Sequence, residues 1–261
     1  MLTWLFRRRY PIRRERPVVL AHRGASADAP ENTLAAFREA MRQGADGIEL
    51  DVMRCGSGEL VVCHDPWLDR LTGMHLEVAA TPLSELRRLD FGRRFSERFA
   101  GERMATLSEV LAVIPRAAVC NVEIKCETLR DRGLSLTVAR QIHRSEAGQE
   151  MLVSSFNPLV LARLRLFAPR LRVAVLVEAS QNLSVREAAA RAMRAWAIHA
   201  EHPLCTPERV RHWHEMGLKV AAWTVDDPGD IERCCAANVD AIITNRPRAA
   251  LALMERLGID D

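Results

Sequence analysis

Lysine is almost missing from this chain. Lys125 and Lys219 are the only two, so nearly all positive charge is arginine. A compact ammonium and a planar guanidinium do different work, which marks both positions. Cysteines at metal spacing are missing too. The seven cysteines (55, 63, 120, 126, 205, 234 and 235) include no Cys-x-x-Cys pair, which excludes a zinc ribbon. An odd number of thiols in a chain of this size predicts free cysteines in a reducing compartment. No apolar run nears the roughly 18 residues that a membrane span needs. A secretory leader is not expected either: the apolar stretch Met1–Phe6 is too short, and Arg7, Arg8 and Arg9 follow it rather than precede it. The expected location is the cytoplasm. A basic groove is also lacking. Residues 1–16 carry six arginines against Glu15 alone, while the rest of the chain is slightly acidic, so the pI of 8.6 comes from a tail. Nucleic acid is not an expected partner.

What is present suffices for one core. The chain has 261 residues, 48% of them hydrophobic, and α/β barrels reach about 250 residues as one domain. After Pro17, short β-like runs alternate with helical stretches. Strands are predicted at Val18–Ala21, Gly47–Met53, Leu60–Cys63, Val119–Ile124, Met151–Phe156, Val173–Val177, Ala195–Ala200 (a weak one), Val220–Val225 and Ala241–Ile243. Helices are predicted at Thr33–Gln43, Leu107–Ile114, Leu134–His143, Pro158–Phe167, Val185–Arg194, Thr206–Met216, Pro228–Ala236 and Pro247–Leu257. About eight strand–helix units fit, with one interruption, and repeated units of this kind imply a parallel sheet covered by helices. Their number and the chain length favour a closed (β/α)8 TIM barrel over an open sheet. No repeat or low-complexity linker divides the chain. The expected organisation is a basic arm, residues 1–17, and a single barrel, 18–261, with a small insertion at about 66–103.

Four clusters of reactive residues fall at predicted strand ends, where the active sites of TIM barrels lie. The first is His22-Arg23-Gly24. An imidazole exchanges protons near neutral pH, a guanidinium offers a fork suited to phosphate, and Gly24 permits a sharp turn. The second is Glu49 and Asp51, which share one strand face. Two buried carboxylates repel unless a cation or protons intervene. The third is His64-Asp65, where the aspartate either orients the histidine or begins the next turn. The fourth is Glu123 and Lys125, again on one face. Oxygen ligands suit a hard divalent ion, magnesium or calcium, and the set as a whole suits metal-assisted phosphodiester cleavage.

The runs His22-Arg23-Gly24, Pro30-Glu31-Asn32-Thr33, Gly44–Val52, His64-Asp65, Thr72-Gly73, Glu123-Ile124-Lys125, Ser155-Phe156, Trp223-Thr224-Val225 and Thr244-Asn245, taken in order, resemble the glycerophosphodiester phosphodiesterase family from about Val18 to the C-terminus. The resemblance implies a TIM barrel that hydrolyses a glycerophosphodiester, its small-molecule partner, to glycerol 3-phosphate and an alcohol. It implies that Glu49, Asp51 and Glu123 hold one divalent cation, Mg2+ or Ca2+, and that His22 and His64 act as general acid and base. It assigns Arg23 and Lys125 to the phosphate and Trp223 to an apolar wall for the glycerol carbons. Glu31 falls in a motif often counted with the metal and ranks below the other three acids, since an acid in the first turn of a helix is the plainer role. Two stretches depart from the family pattern, Met53–Glu59 and Met74–Glu77, and both bear on the leaving alcohol more than on the chemistry.

Two other readings stand beside this one. The first is a lysophospholipase D-like enzyme, with Trp4, Leu5, Phe6 and the arginines of residues 1–16 touching an anionic membrane. The second is a non-catalytic barrel that binds a phosphate ligand.

Overall fold

The computed structural model describes residues 16–126, 131–145 and 150–259. Nine strands form one sheet: β1 (Val18–His22), β2 (Gly47–Arg54), β3 (Leu60–Val62), β4 (Val119–Ile124), β5 (Glu150–Ser155), β6 (Arg172–Val177), β7 (Ala197–Glu201), β8 (Lys219–Trp223) and β9 (Ala241–Thr244). All but β3 run parallel, each beside the next in chain order, and β9 pairs with β1 to close the cylinder. The fold is a TIM barrel, as the alternation predicts. The barrel staves alternate in the expected way. Val18, Leu20, Val119, Ala221, Ala241 and Ile243 fill the interior, while Val19, Ile48, Leu50, Val122 and Ile124 face outward into the main core under the helices.

The helices begin and end where local chemistry directs. Around the barrel lie α1 (Leu34–Arg42), then α2 (Asp69–Thr72) and α3 (Leu83–Leu86) in the insertion, then α4 (Leu107–Val113), α5 (Leu134–Arg144), α6 (Pro158–Phe167), α7 (Leu183–Ala192), α8 (Pro207–Glu215), α9 (Pro228–Ala236) and α10 (Pro247–Arg256). Proline, whose missing N–H costs nothing in a first turn, opens α6, α8, α9 and α10. Thr106 and Glu109 form a reciprocal capping box on α4. Thr33 caps α1 rather than joining it, so that helix starts at Leu34.

One predicted strand is not a stave. Leu60–Val62 pairs antiparallel with the upper end of β2, Val52 opposite Val62 and Arg54 opposite Leu60. The reason lies in the connection: a parallel partner needs a crossover of a dozen or more residues, and the short link here allows only a hairpin. β2 therefore runs on past the barrel rim, and β3 folds back toward it. The weak strand at Ala195–Ala200 is also displaced, to Ala197–Glu201.

Residues 66–103 fold against this hairpin. Val61 and Cys63 pack with Leu68, Val78, Leu86 and Phe91 in a small apolar cluster separate from the main core. All seven cysteines are free thiols. Among the described residues no helix is long and apolar enough to cross a membrane. The membrane contact expected of residues 1–16 falls almost wholly outside the described residues. Arg16, the exception, bonds its guanidinium to Asp46 at 2.7 Å.

Candidate active site

The barrel register brings the acids together. Glu49 and Asp51 lie two apart on β2, so both point inward. Asp51 sits opposite Glu123 on β4, and Glu49 sits opposite His22 on β1. All three carboxylates are buried, and one oxygen of each lies within 4.8 Å of the others. A carboxylate cage of this kind offers a metal ion three oxygen ligands. Gly24, with φ of +84°, ends β1 so tightly that a Cβ there would stand 2.6 Å from the Ala36 backbone. Arg23 just before it takes a left-handed φ of 54°, a conformation that costs a non-glycine residue roughly 1 kcal/mol or more. That turn aims the Arg23 Nε at Asp51, 3.2 Å away, and its backbone N–H at Glu49, also 3.2 Å.

Charge within the cage is uneven. Burial and the neighbouring Asp51 and Glu123 charges push the Glu49 carboxyl well up. Burial, then the Asp51 charge, raises Glu123 to about 7. Asp51 would also be raised by burial, but Lys125 and Arg23 outweigh it and hold Asp51 down at about 2. The Lys125 ammonium lies 2.6 Å from Glu123 and 3.2 Å from Asp51. Asp51 Oδ1 nevertheless receives no hydrogen bond, while Oδ2 accepts one from Asn32 at 2.9 Å.

Both imidazoles are fixed through Nδ1. His22 Nδ1 lies 2.7 Å from Asn245 Oδ1. Asn245 donates its amide to Asp226, a carboxylate that only accepts, so its oxygen must face the ring. His22 therefore carries its proton on Nδ1 and turns the Nε2 lone pair inward, 3.9 Å from Glu49. Burial first, and then the Arg23 charge, lower His22 to about 4, so it is unprotonated at neutral pH. His64 reaches the rim by a different route, at the end of the antiparallel β3. Its Nδ1 lies 2.7 Å from Asp65, so of the two roles open to Asp65 the orienting one is seen.

Trp223, at the end of β8, is half-buried. It donates its indole N–H to the His199 carbonyl at 2.9 Å and meets Phe156 edge to face. Glu31 lies outside the three-carboxylate group and before α1 begins. It bonds Arg23 at 2.9 Å and Arg70 at 2.7 Å. Lys219, the second lysine, sits at the start of β8, away from the mouth, and pairs with Asp240 at 2.6 Å. Asp226 and Arg70 escape sequence reasoning altogether: each is one acid or arginine among many, and nothing local marks it. Asn245 was visible only as part of the Thr244-Asn245 motif.

Known proteins share this architecture. The sequence profile of the glycerophosphoryl diester phosphodiesterase family matches residues 22–249. A glycerophosphodiester phosphodiesterase of Caldanaerobacter subterraneus subsp. tengcongensis is 38% identical over 246 residues, spanning 92% of this chain and 99% of the relative. The structure of an Oleispira antarctica phosphodiesterase in complex with the product sn-glycerol-3-phosphate superposes with a TM-score of 0.85 at 28% identity, covering 92% of this chain and 97% of that one. A glycerophosphodiester phosphodiesterase from Agrobacterium tumefaciens superposes with a TM-score of 0.77, also at 28% identity, covering 90% and 99%. With its barrel closed, its three acids gathered and nearly its whole length matched, the chain belongs to the glycerophosphoryl diester phosphodiesterase family.

Proposed function

We propose that this protein hydrolyses glycerophosphodiesters to sn-glycerol 3-phosphate and an alcohol, with a divalent cation, Mg2+ or Ca2+, held by Glu49, Asp51 and Glu123. The observation that carries the proposal is the convergence of three buried carboxylates beside two imidazoles each held through Nδ1. The donor set fits a hard cation. It is all oxygen, two of its members are pushed toward protonation by burial and then by the neighbouring acid charges, and Asp51 Oδ1, buried without a hydrogen bond, has the Lys125 ammonium 3.2 Å away. When bound, such a cation neutralises charge on the phosphodiester. The seven free thiols support a cytoplasmic setting.

The remaining steps belong to side chains. Arg23 and Lys125 flank the acids and are placed to grip the phosphate oxygens, and Trp223 offers the glycerol carbons an apolar face. His22, unprotonated and with Nε2 free, accepts the proton of the attacking oxygen, which is either water or the glycerol 2-hydroxyl. His64, on the neighbouring hairpin with its Nδ1–H held by Asp65, gives the proton carried on Nε2 to the departing alcohol. Replacing either histidine with alanine is expected to lower turnover of glycerophosphocholine by about 100-fold or more. An aryl leaving group, which departs without protonation, should restore His64→Ala but not His22→Ala, and the reverse pattern would exchange their roles. The deciding assay is release of glycerol 3-phosphate with Mg2+ or Ca2+, before and after chelation. Turnover that disappears with chelator and returns with metal supports the reading. Full activity in chelator would remove the cation from it, and inactivity toward every glycerophosphodiester would refute the function.

A further inference from the structure

Arg70 lies in the insertion and belongs to none of the clusters that carry the chemistry. It is about half exposed, and it sits on α2, a four-residue helix anchored by the buried Leu68 just before it. Its carbonyl accepts the Arg94 guanidinium at 3.2 Å, which ties the turn to the rest of the insertion. The Arg70 side chain spends three donors on two acids. Nε donates to Asp65 Oδ2 at 2.7 Å, while the two terminal nitrogens grip Glu31 Oε1 and Oε2, each at 2.7 Å.

Each of those acids has a second client in the active site. Asp65 turns its other oxygen to His64 Nδ1 at 2.7 Å. Glu31 Oε1 also receives the Arg23 guanidinium at 2.9 Å, and Arg23 in turn reaches Asp51. A continuous chain of charge-assisted contacts therefore runs from His64 through Asp65, Arg70, Glu31 and Arg23 to the carboxylate cage. His64 comes from a hairpin outside the barrel wall, and Arg23 comes from the wall itself. Arg70 is the link that joins them.

We propose that Arg70 is a positioning residue: it sets the register between the His64 imidazole, carried on the hairpin, and the Arg23 guanidinium at the end of β1. The proposal rests on the function given above for His64 and Arg23. A planar fork is needed because the two acids are approached from different edges of one guanidinium. Lysine, a single point of charge, cannot offer two separate planar edges to acids that stand apart. The contribution to folding is expected to be small, because half-exposed ion pairs stabilise little. The contribution to rate is expected to be large, because a misplacement of about 1 Å at a reacting group can cost about 100-fold.

The test compares Arg70→Ala and Arg70→Lys with the wild-type chain, each alone and in an Asp65→Asn background. Arg70→Ala is expected to lower kcat/KM for glycerophosphocholine by about 10- to 100-fold with thermal unfolding nearly unchanged. Arg70→Lys should fall between it and wild type. In the Asp65→Asn background the same substitutions should cost less than about 3-fold, since the route to His64 is already cut. Equal losses in both backgrounds, or a loss matched by a fall in unfolding temperature, would show a merely structural role and overturn the proposal, as would wild-type rates in Arg70→Ala. A readout independent of turnover is the 15N spectrum of the His64 ring. Nδ1, bonded to Asp65, should give one sharp signal in wild type and an exchange-broadened or shifted one in Arg70→Ala; an unchanged ring spectrum would also count against Arg70. A wild-type protein inactive on all glycerophosphodiesters would sink the functional reading, leaving the ring spectrum to decide on Arg70.

Discussion

Single residues in this protein matter through what stands opposite them. Glu49 and Asp51 were legible as a facing pair because two residues along a strand is a full period, and no spatial information is needed to see it. The partners that fix the histidines were not legible in the same way. Asn245 and Asp226 lie some two hundred residues from His22, and only closure of the barrel, which pairs β9 with β1, delivers them. His199 is a further case. It sits fully buried on β7 with Nδ1 lacking any hydrogen bond, and burial holds it down at about 3. A histidine whose folded value lies below its unfolded one loses stability as pH falls below the unfolded value near 6.5, because only the unfolded chain then takes up the proton. The contribution is complete above that point and declines toward pH 3. Urea unfolding at pH 7 and pH 5 should show wild type losing about 2 kcal/mol more than His199→Leu over that interval. Identical losses would mean that His199 is hydrated or paired in solution.

At the scale of elements, most of the barrel could be read from alternating periods, helix caps and prolines. Thr106 with Glu109, and the prolines that open α6, α9 and α10, placed those helix starts correctly. The hairpin is not legible because an apolar triplet such as Leu60–Val62 looks the same whether it runs with or against its neighbour. Only the length of the link to β2 separates the two, and that length was in the sequence. Gly47 shows the reverse, a motif residue whose steric constraint no local pattern reveals. It begins β2 against β4 so closely that a Cβ there would lie 2.1 Å from the Val119 carbonyl oxygen. Gly47→Ala should force the two strands that carry the three acids apart, costing about 2 kcal/mol or more in unfolding free energy. A cost under about 0.5 kcal/mol, the range of ordinary surface changes, would show that the strand pair yields easily.

For the molecule as a whole, three gathered acids outnumber the two cations beside them, Arg23 and Lys125, and the remaining repulsion is one that a ligand can relieve. A cation bound at about 100 times its dissociation constant stabilises the folded state by about 2.7 kcal/mol, which for a chain of this size shifts the melting temperature by roughly 5–10 °C. Mg2+ or Ca2+ should raise the melting temperature of chelator-treated wild type by this order, and Asp51→Asn should respond far less. An equal response in both would place the ion elsewhere. The return of β3 toward the rim bears on how such a catalyst can diversify. Because β2 bonds directly to β4, the wall is seamless behind the excursion that leaves after Arg54 and rejoins at α4. A graft from a relative in place of that excursion is expected to retailor what the mouth admits while the cage keeps its shape, provided the graft brings its own imidazole and the arginine that seats it.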